Sequence, residues 1–351
     1  MSLSKLIKPT GTTRKRLRNV LLVTPAIVAV AALTACSPQN GGGSASSTGG
    51  TSASNVNLVV IGGASDDVFF STVKRGIDDA AKVPEASGAK VTYLALKNYD
   101  NLGPDVAQLI TNALGMKPSA IAVPDWVPTA EDPAIQSVIA AGIPVIIYNA
   151  GTWDQASKLG AMTYIGTDEY LAGKAAGEAL GKAGSKNASC VNTVPGSTNL
   201  EDRCSGVKDG IAETGGTSSE LALPATSFGN ATAVTQAIKS NLQQNTSIDA
   251  VITVGGSDSE AAFAALTQAN STAKFITFGN STTVDARIQA GTQLAFIDQQ
   301  PYAQGFYSVS ALWQYVAYGL ELPTKPILTG PAVITKDNVA AVISGSAAGV
   351  R

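Results

Sequence analysis

Acidic, amide and aromatic side chains occur close together at several points in the sequence, and together they could bind a hydroxylated ring. The run from Asp67 to Phe70 and the pair Asp125–Trp126 each combine a carboxylate with flat apolar rings. Aromatic faces pack against the C–H groups of a sugar or polyol, while carboxylates and amides bond its hydroxyls. The predicted ligand-binding residues are Asp67, Phe69, Phe70, Asp125, Trp126, Asn149, Arg203, Phe228, Asn280, Asp298 and Gln299.

Several of these residues also have a structural interpretation, which the sequence leaves open. Asp66 or Asp67 could cap the helix that follows, and Asp298 could pair with a structural arginine. One of the two neighbouring rings Phe69 and Phe70 could face the core. The prediction therefore depends on the whole set converging on one place.

The elements that must position these residues are predicted strands of parallel sheets. Short apolar, β-branched segments alternate with amphipathic helical segments, and about nine strands are expected. Segment 57–62 precedes Asp67, segment 120–124 precedes Asp125, and segment 274–279 precedes Asn280. Ligands of open α/β sheets bind beyond the carboxyl ends of the strands. We therefore expect an α/β fold with two doubly wound parallel-sheet lobes, because nine strands are too many for one.

The composition excludes several classes of function. The chain has 351 residues and no histidine, so the commonest general base and metal ligand is missing. Of 24 Lys and Arg residues, six lie in residues 1–35; the remaining 18 against 26 acids give a net charge of −8. An acidic surface argues against nucleic acid as a partner. No metal site and no cofactor is predicted.

The N-terminal 35 residues have the pattern of a signal peptide. A basic stretch without acids precedes the apolar run 20–32, and Leu33-Thr34-Ala35-Cys36 resembles the bacterial lipobox. The prediction is a lipid on Cys36, a Gly/Ser-rich tether over 36–55 and an extracytoplasmic, membrane-anchored protein. An ordinary signal peptide with an incidental cysteine, or a short membrane helix, remains the alternative.

Two further cysteines, Cys190 and Cys204, remain once Cys36 is set aside. An even pair in an exported protein predicts a disulfide, which would stabilise the fold by about 3 kcal/mol. Two buried free thiols are the alternative.

Five segments, in this order and at this spacing, resemble a known family. Over about residues 56 to 340, the chain resembles periplasmic-type sugar-binding proteins of the ribose-binding class. These proteins are the solute receptors of ABC importers. The segments are "DDVFFSTVKRG" (66–76), "GIPVIIYNAG" (142–151), "YIGTDEYLAGKAAGEAL" (164–180), "DRCSGV" (202–207) and "FIDQQPYAQGF" (296–306).

The resemblance implies the type I periplasmic binding protein fold, with two lobes joined by three crossovers near residues 165–169, 298–302 and 329–333. It also implies that Arg203 grips the sugar, that Phe69 and Phe70 stack on it, and that Gln299 lies at the hinge. Asn149 stands where the family usually has Asp. The implied lobes are 56–166 with 300–330, and 167–299 with 331–351.

The function that the resemblance implies is capture of a monosaccharide or polyol and its delivery to an ABC permease and ATPase. Such a receptor is expected to be a monomer and not an enzyme. A receptor that presents its ligand to a sensor kinase shares the fold and is the main alternative. An exported glycosidase using paired carboxylates is a weaker one. A repressor of the same fold would need a DNA-binding helix-turn-helix, which residues 1–55 do not provide.

Overall fold

The structure is a computed structural model that describes residues 53–322 and 325–351. The predicted signal peptide, the lipidation site Cys36 and most of the predicted tether lie outside these residues. Within them, the helices are all too short or too polar to cross a bilayer.

Strands and helices alternate through almost the whole described chain. The strands are β1 (Asn57–Ala64), β2 (Lys90–Leu96), β3 (Ala120–Val123), β4 (Val145–Asn149), β5 (Tyr164–Thr167), β6 (Asn187–Asn192), β7 (Thr217–Ala222), β8 (Ala250–Thr253), β9 (Lys274–Phe278), β10 (Ala295–Asp298), β11 (Ile327–Gly330) and β12 (Ala332–Thr335). The helices are α1 (Val68–Ala86), α2 (Leu102–Gly115), α3 (Pro128–Ala140), α4 (Trp153–Leu159), α5 (Glu169–Lys182), α6 (Thr198–Ala212), α7 (Ala231–Gln244), α8 (Ser259–Gln268), α9 (Thr282–Ala290), α10 (Pro301–Tyr318) and α11 (Ile343–Ala347).

The strands form two six-stranded sheets, which confirms the predicted fold class. The first lobe contains the order β11-β5-β4-β3-β1-β2, and every neighbouring pair in it is parallel. The second lobe contains the order β12-β10-β9-β8-β6-β7, in which only β12 runs antiparallel to its neighbour. In both orders the first strand of the lobe lies inside the sheet, so each lobe is doubly wound.

The chain passes between the two sheets three times. The connections are Asp168 between β5 and α5, Gln299–Gln300 between β10 and α10, and Pro331 between β11 and β12. Each lies within one of the three segments in which the resemblance implied a crossover. The two short strands β11 and β12 were not predicted, because they follow each other directly and so lie outside the strand–helix alternation that identified the other strands.

Two pairs of helices pack with their backbones in contact because glycines face each other. A Cβ atom on Gly173 of α5 would overlap the carbonyl oxygen of Arg203 in α6, and one on Gly206 would overlap that of Tyr170. The helices α1 and α10 pack in the same way through Gly76 and Gly305. The backbone contact of α5 with α6 holds Arg203 close to the first residue of α5, Glu169.

Candidate ligand-binding cleft

A cleft of about 480 Å³ lies between the carboxyl ends of the strands of both sheets. We call it the central cleft. It is lined by Asp67, Phe69, Phe70, Tyr99, Leu102, Trp126, Asn149, Val194, Ser197, Asn199, Leu200, Arg203, Phe228, Gly255, Gly256 and Gln299.

Five aromatic rings form a continuous edge-to-face series along the cleft. Ring centroids are 5.3 Å apart for Phe69 and Phe70, and 5.6 Å apart for Phe70 and Trp126. Tyr99 continues the series, 6.4 Å from Trp126 and 4.5 Å from Phe228. Four of these rings belong to the first lobe, whereas Phe228 follows β7 of the second. Both lobes therefore contribute apolar surface of the kind that packs on a sugar ring.

Asp67 both caps a helix and lines the cleft, so the two interpretations of this residue are compatible. One carboxylate oxygen accepts the backbone N–H of Phe69 at 2.9 Å, at the N-terminus of α1. The other accepts the hydroxyl of Tyr99 at 2.7 Å. Burial raises the pKa of Asp67 to about 6. The two donors hold the carboxylate at a fixed place on the cleft wall.

Asn149 presents a hydrogen-bond acceptor that lacks a partner. The residue ends β4 with a φ of +64°, a left-handed conformation that asparagine tolerates better than most residues. Its amide nitrogen donates to Gln304 Oε1 at 3.2 Å, which fixes the orientation of the amide. Its Oδ1 is buried and accepts no hydrogen bond among the described residues. A ligand hydroxyl could satisfy it.

Arg203 lines the second-lobe side of the cleft and is 4% exposed. Its Nε donates to Glu169 Oε2 at 2.8 Å and its Nη1 donates to the carbonyl oxygen of Val254 at 2.5 Å. The guanidinium lies over the ring of Phe278, 4.5 Å from the centroid. Glu169 also accepts from Gln299 Nε2 at 3.1 Å. The arginine is thus connected to two of the three crossovers.

Asp125 does not line the central cleft, contrary to the expectation from its position after β3. It is 0% exposed, and neither of its carboxylate oxygens has a hydrogen-bond partner among the described residues. Successive side chains of an extended segment point to opposite sides, and here Trp126 takes the cleft side. Burial raises the pKa of Asp125 to about 7 and that of Glu131 to about 9.

Asp298 and Asn280 lie in a second cavity of about 380 Å³, which shares Phe69, Gly256 and Gln299 with the central cleft. Asp298 forms an ion pair with Arg351, so its structural interpretation holds. Asn280 donates to Ser346 Oγ at 2.5 Å. Both side chains are therefore engaged with the protein, and neither lines the central cleft.

Several lining residues were missed by the sequence analysis. Tyr99 follows the end of β2 by three residues, so the strand-end rule could have found it. Asn199 precedes Arg203 in α6, and its Oδ1 accepts from Ser197 Oγ at 2.6 Å. Gly255 and Gly256 line the cleft with backbone only, which leaves no side-chain chemistry to notice. No group of acidic, Cys or His residues within the described chain is arranged to hold a metal ion.

The predicted disulfide between Cys190 and Cys204 is confirmed, with 5.7 Å between the Cα atoms. It connects β6 with α6 next to Arg203. It thereby restrains the segment that carries Val194, Ser197 and Asn199 to the cleft.

Residues 58–321 match the family described as periplasmic binding protein domain. The chain belongs to this family. The resemblance noted in the sequence is thus confirmed over most of the folded part. Members of the periplasmic binding protein family, as its name states, are located outside the cytoplasm. No curated protein matches the chain.

Three solved structures whose ligand or role is stated are similar to this periplasmic binding protein. A carbohydrate transporter from Acidothermus cellulolyticus 11B in complex with myo-inositol is 34% identical, with a TM-score of 0.76, over 84% of this chain and 99% of that one. A solute-binding protein of an ABC transporter from Burkholderia graminis C4D1M, in complex with D-arabinose, is 21% identical (TM-score 0.71; 83% and 99% covered). A periplasmic sugar-binding protein from Legionella pneumophila is 23% identical (TM-score 0.69; 78% and 99% covered).

Proposed function

We propose that the protein is an extracytoplasmic receptor that captures a monosaccharide or polyol between its lobes and delivers it to an ABC permease. The observation that supports this most is the make-up of the central cleft. Aromatic rings from both lobes stand beside polar groups with free hydrogen-bonding capacity, among them Asn149 Oδ1 and Arg203 Nη2. A hydroxylated ring matches both kinds of surface.

In this proposal the ligand is bound by residues of both lobes and the hinge. Asp67 and Asn149 accept from its hydroxyls, Arg203 donates to them, and Phe69 and Phe228 pack on its faces. Gln299 contacts it from the second crossover. The myo-inositol bound by the Acidothermus relative is a ligand of this class, at an identity of 34%.

Ligand capture would be coupled to closure of the lobes. A ligand that contacts both lobes at once stabilises only the state in which they are close together. Hinge motion about the three crossovers would then open the cleft for release. A permease and its ATPase would recognise the closed receptor.

Three further features belong to the proposal. We place a lipid on Cys36, so that the receptor is anchored to the membrane through the Gly/Ser-rich tether, and we expect a monomer. The lobe division at residues 166/167, 299/300 and 330/331 also remains a proposal. The sheet to which each strand belongs supports the second and third boundaries, whereas β5 of the first sheet extends one residue past the first boundary, to Thr167.

A screen of ligands by thermal unfolding tests the function. Pentoses, hexoses, polyols and inositols would be added to the purified protein, and a ligand at 100 times its Kd should stabilise it by about 2.7 kcal/mol. Arg203→Ala should abolish this shift, while the ligand-free protein remains folded but is less stable, because Glu169 loses its partner in a buried ion pair. A screen without any stabilising sugar or polyol would overturn the proposal. An unchanged shift in the variant would remove Arg203 from the site.

We propose binding without catalysis in this cleft. A glycosidase of the usual kind needs two carboxyl groups, about 5 to 9.5 Å apart, on either side of the scissile bond. Among the described lining residues Asp67 is the only acid, and Asp298 is paired with Arg351 in the second cavity. Release of nitrophenol from nitrophenyl glycosides would contradict this.

A receptor for a membrane sensor is the second candidate. A chain in the solved complex named XylFII-LytSN has the same fold, with 22% identity, a TM-score of 0.69 and coverage of 80% of this chain and 98% of that one. A binding protein of this fold can therefore assemble with a named protein partner. Uptake of the radiolabelled ligand separates the two functions, because deletion of the gene abolishes uptake only for a transport receptor.

A further inference from the structure

We propose that Glu169 determines the charge selectivity of the central cleft: by neutralising Arg203, it makes the site bind neutral sugars and polyols and reject sugar acids. This inference rests on the proposed function, since it concerns the ligand class of the same cleft. Glu169 does not line the cleft, and it acts through two residues that do, Arg203 and Gln299.

Glu169 lies where the first crossover enters the second lobe, as the first residue of α5. It is 4% exposed. One oxygen accepts from Arg203 Nε at 2.8 Å and the other accepts from Gln299 Nε2 at 3.1 Å. The carboxylate of Glu169 thus bonds both Arg203 of the second lobe and the side-chain amide of Gln299 in the second crossover.

The hydrogen bonds require that Glu169 is ionised. Both oxygens accept from N–H donors, and among the described residues no acceptor is bonded to Glu169 that could receive a carboxyl proton. Burial raises the pKa of Glu169 above its ordinary value, and the charge of Arg203 limits this rise. Removing one partner from a buried ion pair leaves an uncompensated charge, which is strongly unfavourable.

Arg203 keeps only part of its guanidinium fork free for a carboxylate ligand. An arginine that binds a carboxylate bidentately uses two parallel N–H donors of its fork. Here the Nε–H is bonded to Glu169, and one of the two N–H groups of Nη1 is bonded to the carbonyl of Val254. The pairing that uses Nε is therefore blocked, and among the described residues nothing accepts from Nη2, so Nη2 keeps both of its N–H groups for a ligand. A hydroxyl group needs only one such donor.

The other charged side chain that lines the cleft among the described residues is negative. Arg203 is the only basic residue among the described residues that line it, and Asp67 is the only acid. Asp258 is buried next to Gly255, and burial, with a contribution from the nearby Asp67, raises its pKa to about 7. With Glu169 cancelling Arg203, the cleft carries an excess of negative charge. A ligand carboxylate would be repelled, and like charges brought together cost several kcal/mol.

The test compares neutral and acidic ligands in matched variants. The measured quantity is the Kd for D-glucuronate divided by the Kd for the best neutral probe among D-glucose, D-galactose, D-arabinose and myo-inositol. We expect a ratio of about 100 or more in the wild type, and a ratio at least about tenfold lower in Glu169→Gln, because one negative charge has been removed beside Arg203. Isothermal titration gives both constants.

Two further variants separate charge from shape. Glu178→Gln makes the same chemical change further along α5, where Glu178 pairs with Lys182 at 3.0 Å, and its ratio should equal that of the wild type. Glu169→Asp keeps the charge but shortens the side chain, so binding of both probes should weaken while the ratio stays high. A purely structural role would predict similar ratios for Glu169→Asp and Glu169→Gln.

The outcomes distinguish this inference from the proposed function. If the wild type binds none of the neutral probes, the proposed function fails. If it binds them and the ratio is unchanged in Glu169→Gln, only the role of Glu169 is overturned. Glu169→Asn is a second neutral variant with a smaller side chain. If neither neutral variant folds, Glu169 is a structural residue and the inference is overturned as well.

Discussion

Thr198 of the second lobe donates its backbone N–H to the carbonyl oxygen of Trp126 in the first lobe, over 2.9 Å. Its hydroxyl donates to the carbonyl oxygen of Asp125 at 3.3 Å. These bonds join the lobes away from the three crossovers. Phe228 of the second lobe contacts Tyr99 of the first. The structure therefore has the lobes in contact, and opening the cleft must break the bonds of Thr198.

Thr198→Pro removes both bonds and should weaken ligand binding by about two- to tenfold for each of them. Thr198 is the first residue of α6, a position where proline is well tolerated, and Ser197 before it is extended with φ −80° and ψ 117°. The ligand-free protein should therefore unfold at nearly the same temperature. Isothermal titration and thermal unfolding measure the two effects.

Thr282→Pro provides the matched control, because it introduces proline at the first residue of α9, where no bond between the lobes is lost. Thr198→Val removes only the hydroxyl and should have a smaller effect than proline. Equal affinities for Thr198→Pro and Thr282→Pro would show that these bonds do not stabilise the closed state.

Replacing both Cys190 and Cys204 by alanine should lower the free energy of unfolding by about 2 to 4 kcal/mol. The disulfide closes a loop with a sequence separation of 14, and it restrains α6 against β6. Urea unfolding of the oxidised protein and of the double variant measures the difference. The wild type under reducing conditions should match the variant, and a wild type that is equally stable in both states would contradict the expectation.

Gly173→Ala should both destabilise the protein and weaken ligand binding. The added methyl group would overlap the carbonyl oxygen of Arg203, so α5 and α6 must separate, and overpacking of this kind costs about 1 to 3 kcal/mol. The separation would displace Arg203 from Glu169. Gly115→Ala in α2 is the control, because a methyl group there meets no atom within 4 Å. If the two variants were equally stable, the helix contact would not be tight.

Much of the cleft could be predicted from the sequence, because parallel strands bring their carboxyl ends to one edge of each sheet. Asp67, Trp126 and Asn149, which that rule singled out, line the central cleft. The rule could not decide between neighbours: of Asp298 and Gln299 only the second lines the central cleft. Which of two neighbours lines the cleft depends on the side to which each side chain of the extended segment points. A shift of the register by one residue exchanges the two sides.

The role of Glu169 could not be read from the sequence at all. Glu169 lies 34 residues from Arg203 and 130 residues from Gln299 along the chain. Whether these three residues contact one another depends on how two crossovers and one helix are arranged in space. Sequence patterns report local periodicity, so an interaction of this kind becomes visible only when the lobes are assembled.

The buried pair Asp125 and Glu131 should make the protein less stable as the pH rises. Burial raises the pKa of Asp125 to about 7, and burial together with the charge of Asp125 raises that of Glu131 to about 9. In the unfolded chain both groups ionise near pH 4. Between about pH 4 and pH 9 the folded state therefore holds protons that the unfolded state has lost, and its stability falls with increasing pH.

Glu131→Gln should flatten this dependence above pH 7. Glu131 accepts the backbone N–H of Trp126 at 2.7 Å, and the amide oxygen of glutamine can accept the same bond. The other acid nearby is Asp132, which is held by Gln155 at 2.9 Å and stays in place. Each proton retained by the folded state corresponds to about 1.4 kcal/mol per pH unit, so urea unfolding at pH 6, 7, 8 and 9 resolves the change. Glu85→Gln, at an exposed position of α1, should follow the wild-type curve. If Glu131→Gln lost stability above pH 7 as steeply as the wild type, the buried pair would not be the group that retains a proton in the folded state.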